Sequence, residues 1–150
     1  KSQVVRLLIE AGAALDRYTS EGRTALDLAR ASGRKATVSA VLAVNRHVVG
    51  ARDGHGRPPL LLACQAGDLA LVRLLLDAGA KIDVRDASGT TPLHVAAMVG
   101  GLPMVRLLVQ RGGGGGGSGA RRGFLDRTTT SGWTPLMQAV QCGNTAVVSL

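Results

Sequence analysis

The sequence predicts an all-α solenoid of helix-turn-helix units joined by short β-hairpin fingers, and three observations carry that prediction. The first is a recurrence of 33 residues: Gly89-Thr-Thr-Pro-Leu-His94, followed by Ala96, Ala97 and Gly100, repeats Gly56-Arg-Pro-Pro-Leu60, Ala63 and Gly67. The same core appears upstream as Gly22-Arg-Thr-Ala-Leu26, Ala29 and Gly33, and downstream as Gly132-Trp-Thr-Pro-Leu136, Ala139 and Gly143. The second is a recurrence between the cores, where Val5-Arg-Leu-Leu8 returns as Val72-Arg-Leu-Leu75 and Val105-Arg-Leu-Leu108. The third is composition, 45% hydrophobic with only 2% aromatic residues. A fixed period of this length marks units that bury their apolar faces only against neighbours. Short helices packed through Ala, Leu and Val need few aromatics.

Residues 1–15 read as the second helix of a partial repeat, so the chain is expected to be a fragment of a longer array. The repeat over 16–49 departs furthest from the pattern, with Ala25 in place of the proline, Arg30 in place of the second alanine, and Asn45 where other repeats place a capping glycine. Asn tolerates the left-handed conformation better than most residues. The step from Ala25 to Pro59 is 34 residues, and the extra residue between Asn45 and Asp53 predicts a bulged finger. The repeat over 50–82 places Leu61 where His94 stands, which removes a polar contact at that turn.

The repeat over 83–125 shows each local signal. Asp86-Ala-Ser-Gly89 supplies turn residues, and Gly89 can take the positive φ of a tight turn. Thr91 caps the next helix through its hydroxyl, and Pro92 suits the first helical position, where no amide donor is required. Leu93, Ala96 and Ala97 follow helical spacing to about Val99, and Gly100 and Gly101 end the helix. Pro103 opens the second helix, whose apolar stripe is Val105, Leu107, Leu108 and Val109, with Gly112 as its capping candidate. The truncated repeat over 126–150 follows at 43 residues, Pro92 to Pro135, so a glycine-rich insertion maps to about 114–123. It has no apolar group to bury and is expected to be a disordered loop. Leu125 and Asp126 then re-enter register opposite Ile82 and Asp83, and Val147, Val148 and Leu150 begin a last second helix.

Thr-Pro-Leu-His-x-Ala at a period of 33, with Gly-Ala closing the second helices, resembles the ankyrin-repeat family along almost the whole chain. The resemblance implies that His94 hydrogen-bonds backbone near a turn. It also implies a concave groove of finger tips and first helices that binds a protein partner. Carried onto this chain, the candidate partner-binding residues are Arg23, His55, Arg57, Gln65, Ser88, Thr90, Met98, Val99, Ser131, Trp133 and Gln141, with Ser20, Glu21, Thr130, Ser32 and Cys142 beside them. These positions vary between repeats, whereas Leu26, Leu60, Leu93 and Leu136 are expected to hold the core. Trp133 is the sole tryptophan. It is either an exposed anchor for a partner or folded onto the neighbouring finger or the insertion.

The formal charge is +8, from 18 basic and 10 acidic residues. With Arg23 and Arg57 toward one end and Met98, Val99 and Trp133 at the centre, the expected partner is a protein with an acidic and apolar surface. Nucleic acid is the alternative, resting on the arginines of 46–57 and 121–127, but aromatics for base stacking are nearly absent. No nucleophile, base and orienting carboxylate lie at recognisable spacing, so no catalysis and no cofactor or metal are expected in this segment. The glycine run lacks the Gly-Lys-Ser/Thr context of a phosphate loop. Cys64 and Cys142 lie two repeats apart, beyond disulfide reach. As free thiols they favour an intracellular location. No apolar run approaches 18 residues, so no membrane span is expected, and the array is expected to be monomeric.

Overall fold

The computed structural model describes residues 17, 19–33, 36, 38, 41, 49, 50, 52–112 and 123–149. The partial repeat at 1–15, Asn45 with most of the expected bulge, residues 113–122 of the glycine-rich segment, and Leu150 lie outside the described residues. The helices lying wholly among the described residues are α1 (Ala25–Ala31), α2 (Pro59–Gln65), α3 (Leu69–Asp77), α4 (Pro92–Val99), α5 (Leu102–Gly112), α6 (Pro135–Gln141) and α7 (Thr145–Val148), and residues 36, 38, 41 and 123–125 are helical as well. No strand occurs among the described residues, and the chain is an all-α repeat structure.

Where the sequence leads one to expect hairpins, four five-residue loops fold back on themselves. Their closing backbone bonds run from the amides of Thr19, Asp53, Asp86 and Thr129 to the carbonyls of Arg23, Arg57, Thr90 and Trp133, at 2.9, 3.0, 3.2 and 2.9 Å. The opening side chain of each loop accepts the amide of its closing residue. Thr19 and Thr129 do so through Oγ1 at 3.2 Å, and Asp53 and Asp86 through Oδ1 at 2.8 and 2.9 Å. A Thr or Asp opening each loop thus closes it as an Asx or hydroxyl turn.

Two compact units make up the chain, the first Lys1–Leu60 with Ala70–Lys81, the second Leu61–Leu69 with Ile82–Leu150. In the first, Thr24 caps α1 in a reciprocal capping box with Asp27, which serves where the third repeat has a histidine. Leu26, Ala29, Leu60, Leu71, Val72 and Leu75 are buried. The amide of Gly54 donates to the carbonyl of Gly22 at 3.2 Å, tying one loop to the next.

In the second unit α4 packs against α5 and α6, and α7 against α6 and α5. Every residue from Pro92 to Ala97 is buried, because Ala96 and Ala97 let neighbouring helices approach closely. Met104, Val105, Leu107 and Leu108 form the buried stripe of α5, each full burial of such a side chain contributing roughly 1.5–3 kcal/mol. Gly100 ends α4 at φ 76°. The carboxamide of Asn144 then caps the helix from outside, its Nδ2 donating to the carbonyls of Ala97 and Met98 at 2.7 and 2.9 Å.

Two expectations are corrected. Gly112 is the last residue of α5 rather than its cap; the Phe124 ring lies where a Cβ on Gly112 would be 2.6 Å from it. A side chain there would displace the buried phenyl group. Leu136, expected in the core with Leu93, is 57% exposed. Its counterpart Leu93 is buried because α6 packs on α4. No described helix covers the same face of α6.

Candidate functional site

The His94 ring is 1% exposed and makes contacts on both sides. Its Nε2 lies 2.9 Å from the Trp133 carbonyl, and its Nδ1 lies 2.8 Å from Thr91 Oγ1 and 3.3 Å from the Thr91 amide. A carbonyl only accepts, so the proton sits on Nε2 and Nδ1 accepts from Thr91. The ring is therefore a neutral strut: it completes the capping box of α4 and holds the closing residue of the 129–133 loop. Burial pushes its pKa below the ordinary value, helped by the charge of Arg85 and opposed by the backbone of Trp133 and Arg127 and by Asp86. The backbone role implied for His94 is the role it has.

That strut fixes the loop carrying Trp133, whose side chain is half-buried. A cavity of about 340 Å³ opens beside it, lined by Ser88, Thr90, Thr129, Ser131, Trp133, Gln138 and Gln141. The two loops forming its rim are joined by the amide and hydroxyl of Thr130, which donate to the Ser88 carbonyl at 3.0 and 3.2 Å. Their approach depends on Gly89, at φ 73°, where a Cβ would be 3.1 Å from the Thr130 nitrogen. The rim is thus built from turns closed internally and fastened to each other.

The structure brings Ser88, Thr90, Ser131, Trp133 and Gln141 together as sequence reasoning expects. Sequence reasoning does not find Thr129 and Gln138, although each carries a signal. Thr129 opens its loop in the register of Asp86, and Gln138 stands in the register of the buried Val95, a polar residue at an apolar position. Met98 and Val99 are 42% and 48% exposed but do not line this cavity. Val99 instead borders an apolar one of about 280 Å³ with Cys64, Gly67, Leu69, Ala96, Gly101, Pro103 and Met104. Leu136, Met137 and Val140 leave an apolar stripe on α6.

Gln65 is exposed. In the first unit Arg23 and His55 are exposed too, and Arg57 is half-buried. Arg57 is held by Asp53 through Nη2 and Nε at 2.8 and 2.9 Å. The Asp53 pKa lies below the ordinary value: burial works against ionisation, but hydrogen bonds from Arg57 and His55 and the charge of Arg57 outweigh it. Arg23 pairs with Glu21 at 3.0 Å. The two arginines from which an acidic partner is expected are therefore each paired within their own loop.

Among the described residues no group of three His, Cys, Asp or Glu is placed to hold a metal ion. None of their helices is long and apolar enough to cross a membrane. Cys64 and Cys142 are both free, and burial pushes the Cys64 thiol up to about 12.

A family model described as ankyrin repeats, in three copies, matches residues 37–116 and 60–150. The matched spans cover the cores at Pro59, Pro92 and Pro135, where the capped helices α4 and α6, the buried alanines and the His94 strut are found. On these repeats and on that match, the chain belongs to the ankyrin-repeat family.

Proposed function

We propose that this segment is a protein-binding module whose second unit recognises its partner through the loops 86–90 and 129–133 and the adjoining sides of α4 and α6. Ankyrin repeats are generally protein-protein interaction modules, typically without catalytic activity. The observation that carries the assignment here is the cavity beside Trp133, a half-buried indole held at the edge of a rim whose backbone is fastened by His94 and Thr130. An aromatic side chain on a rigid support loses little entropy on binding, and tryptophan is enriched among residues that dominate interface energy. Met98, Val99 and Gln65 extend this surface as contacts of lesser weight, and Arg23, His55 and Arg57 are the loop positions of the first unit that serve the same purpose. The two free thiols favour a reducing, intracellular setting, and the module acts as a monomer. The ion pairs of Arg23, Arg57 and Arg127 count against a polyanion as the partner.

The test uses a partner captured with the whole chain as bait. Trp133→Ala removes the ring and keeps the backbone carbonyl that His94 grips, so the repeat keeps its strut. Affinity should fall by about 1 kcal/mol or more, roughly fivefold, with the unfolding midpoint retained. Unchanged affinity would sink the assignment.

A further inference from the structure

The cavity beside Trp133 combines two properties. None of the described side chains lining it is charged, although the chain carries 28 charged residues counting 18 basic and 10 acidic. Its hydrogen-bonding groups are also unspent: the hydroxyls of Ser88, Thr90 and Ser131, the carboxamides of Gln138 and Gln141, and the indole N–H of Trp133 have no partner among the described residues. Thr129 differs, its hydroxyl being used to close the loop.

We infer that this cavity takes an uncharged, extended peptide segment, with a proline or aliphatic side chain against the Trp133 ring and its backbone matched by Gln138 and Gln141. The inference rests on the protein-binding function proposed above and names the chemistry of the partner at that site. A charged side chain entering the cavity would lose hydration and meet no opposite charge on the described lining, a cost that an uncharged segment does not carry. A carboxamide has one acceptor and two donor hydrogens, so it can answer both the N–H and the C=O of one residue in an extended chain, which face the same edge. Gln138 and Gln141 are at i and i+3 on α6, with Cβ atoms about 5–6 Å apart. Alternate residues of an extended chain, which point their backbone groups the same way, repeat at roughly 6.5–7 Å. The two spacings agree within the reach of a glutamine side chain. The indole then offers an apolar face and one donor to the residue between them.

The experiment selects binders to the whole chain from a displayed library of random dodecapeptides and remakes them with acetylated and amidated ends. The expected binders share an uncharged core containing proline or an aliphatic residue. Their binding should shift the fluorescence of Trp133, the sole tryptophan, and their affinity should change less than twofold between low and high salt. Gln138→Ala combined with Gln141→Ala should weaken them at least tenfold while leaving the unfolding midpoint in place. Binders with acidic or basic cores and steep salt dependence, but still shifting Trp133, would overturn the inference and leave the proposed face standing. Peptides indifferent to Trp133→Ala and to the glutamine pair would overturn both. A neutral oligosaccharide that shifts Trp133 where no peptide does would also overturn the inference.

Discussion

His94 joins two turns that are 39 residues apart in the chain, and its hydrogen bonds assign its protonation state. Protonation would turn Nδ1 from acceptor to donor, facing the Thr91 amide and hydroxyl that now donate to it. Because burial lowers the folded-state pKa below the ordinary 6.5, the unfolded chain takes up the proton first as pH falls. Stability from the neutral ring is present above about pH 6.5 and is lost as pH drops through the folded value. The urea midpoint of the wild type should therefore fall between pH 8 and pH 5. His94→Gln, which keeps a neutral donor, should be less stable by about 1–3 kcal/mol at the higher pH, and its midpoint should fall less on acidification. Parallel losses in both proteins would contradict the strut. The backbone role of His94 is legible from the motif that contains it. Its partner is not, because the glycine-rich segment displaces Trp133 from the period and no local signal points to a carbonyl in the next repeat.

Helix boundaries are the part of the fold most legible in the sequence, because caps act within a few residues. Thr91 and Pro92 start α4 and Gly100 ends it as the sequence indicates, and Thr24 and Thr134 do likewise for α1 and α6. What sequence does not show is how helices cover one another. Leu136 has the side chain and register of Leu93, yet its burial depends on a neighbour rather than on its own helix. Asn144 is another case, a residue that caps α4 from the far side of α6. Gly100→Ala should cost about 1–2 kcal/mol for the left-handed conformation, and more because its Cβ would lie 2.5 Å from Asn144 Oδ1. Asn144→Ala should cost about 1–2 kcal/mol through two lost hydrogen bonds. The two share one contact, so the double variant should lose less than the sum. Denaturant unfolding of all four proteins measures this, and strict additivity would contradict the cap.

At the scale of the molecule the 33-residue period separates positions that pack from positions free to vary. It makes the repeat fold and most of the candidate rim readable: Ser88, Thr90, Ser131, Trp133 and Gln141 all follow from comparing one repeat with another. The charge of +8 is a poorer guide, since it does not reveal that Arg23 and Arg57 are paired within their own loops. Nor does the sequence reveal that Met98 and Val99 stand away from Trp133's cavity, which depends on how α4 meets α6. The proposed recognition surface is made of the loops and the first helices rather than the second helices. Amide hydrogen exchange of the chain, free and bound to its captured partner or to a selected peptide, tests it most directly. Binding should add protection at 88–90, 129–133 and 138–141 and leave α3 and α5 unchanged. Protection confined to α3 and α5, with the loops exchanging as in the free chain, would contradict it.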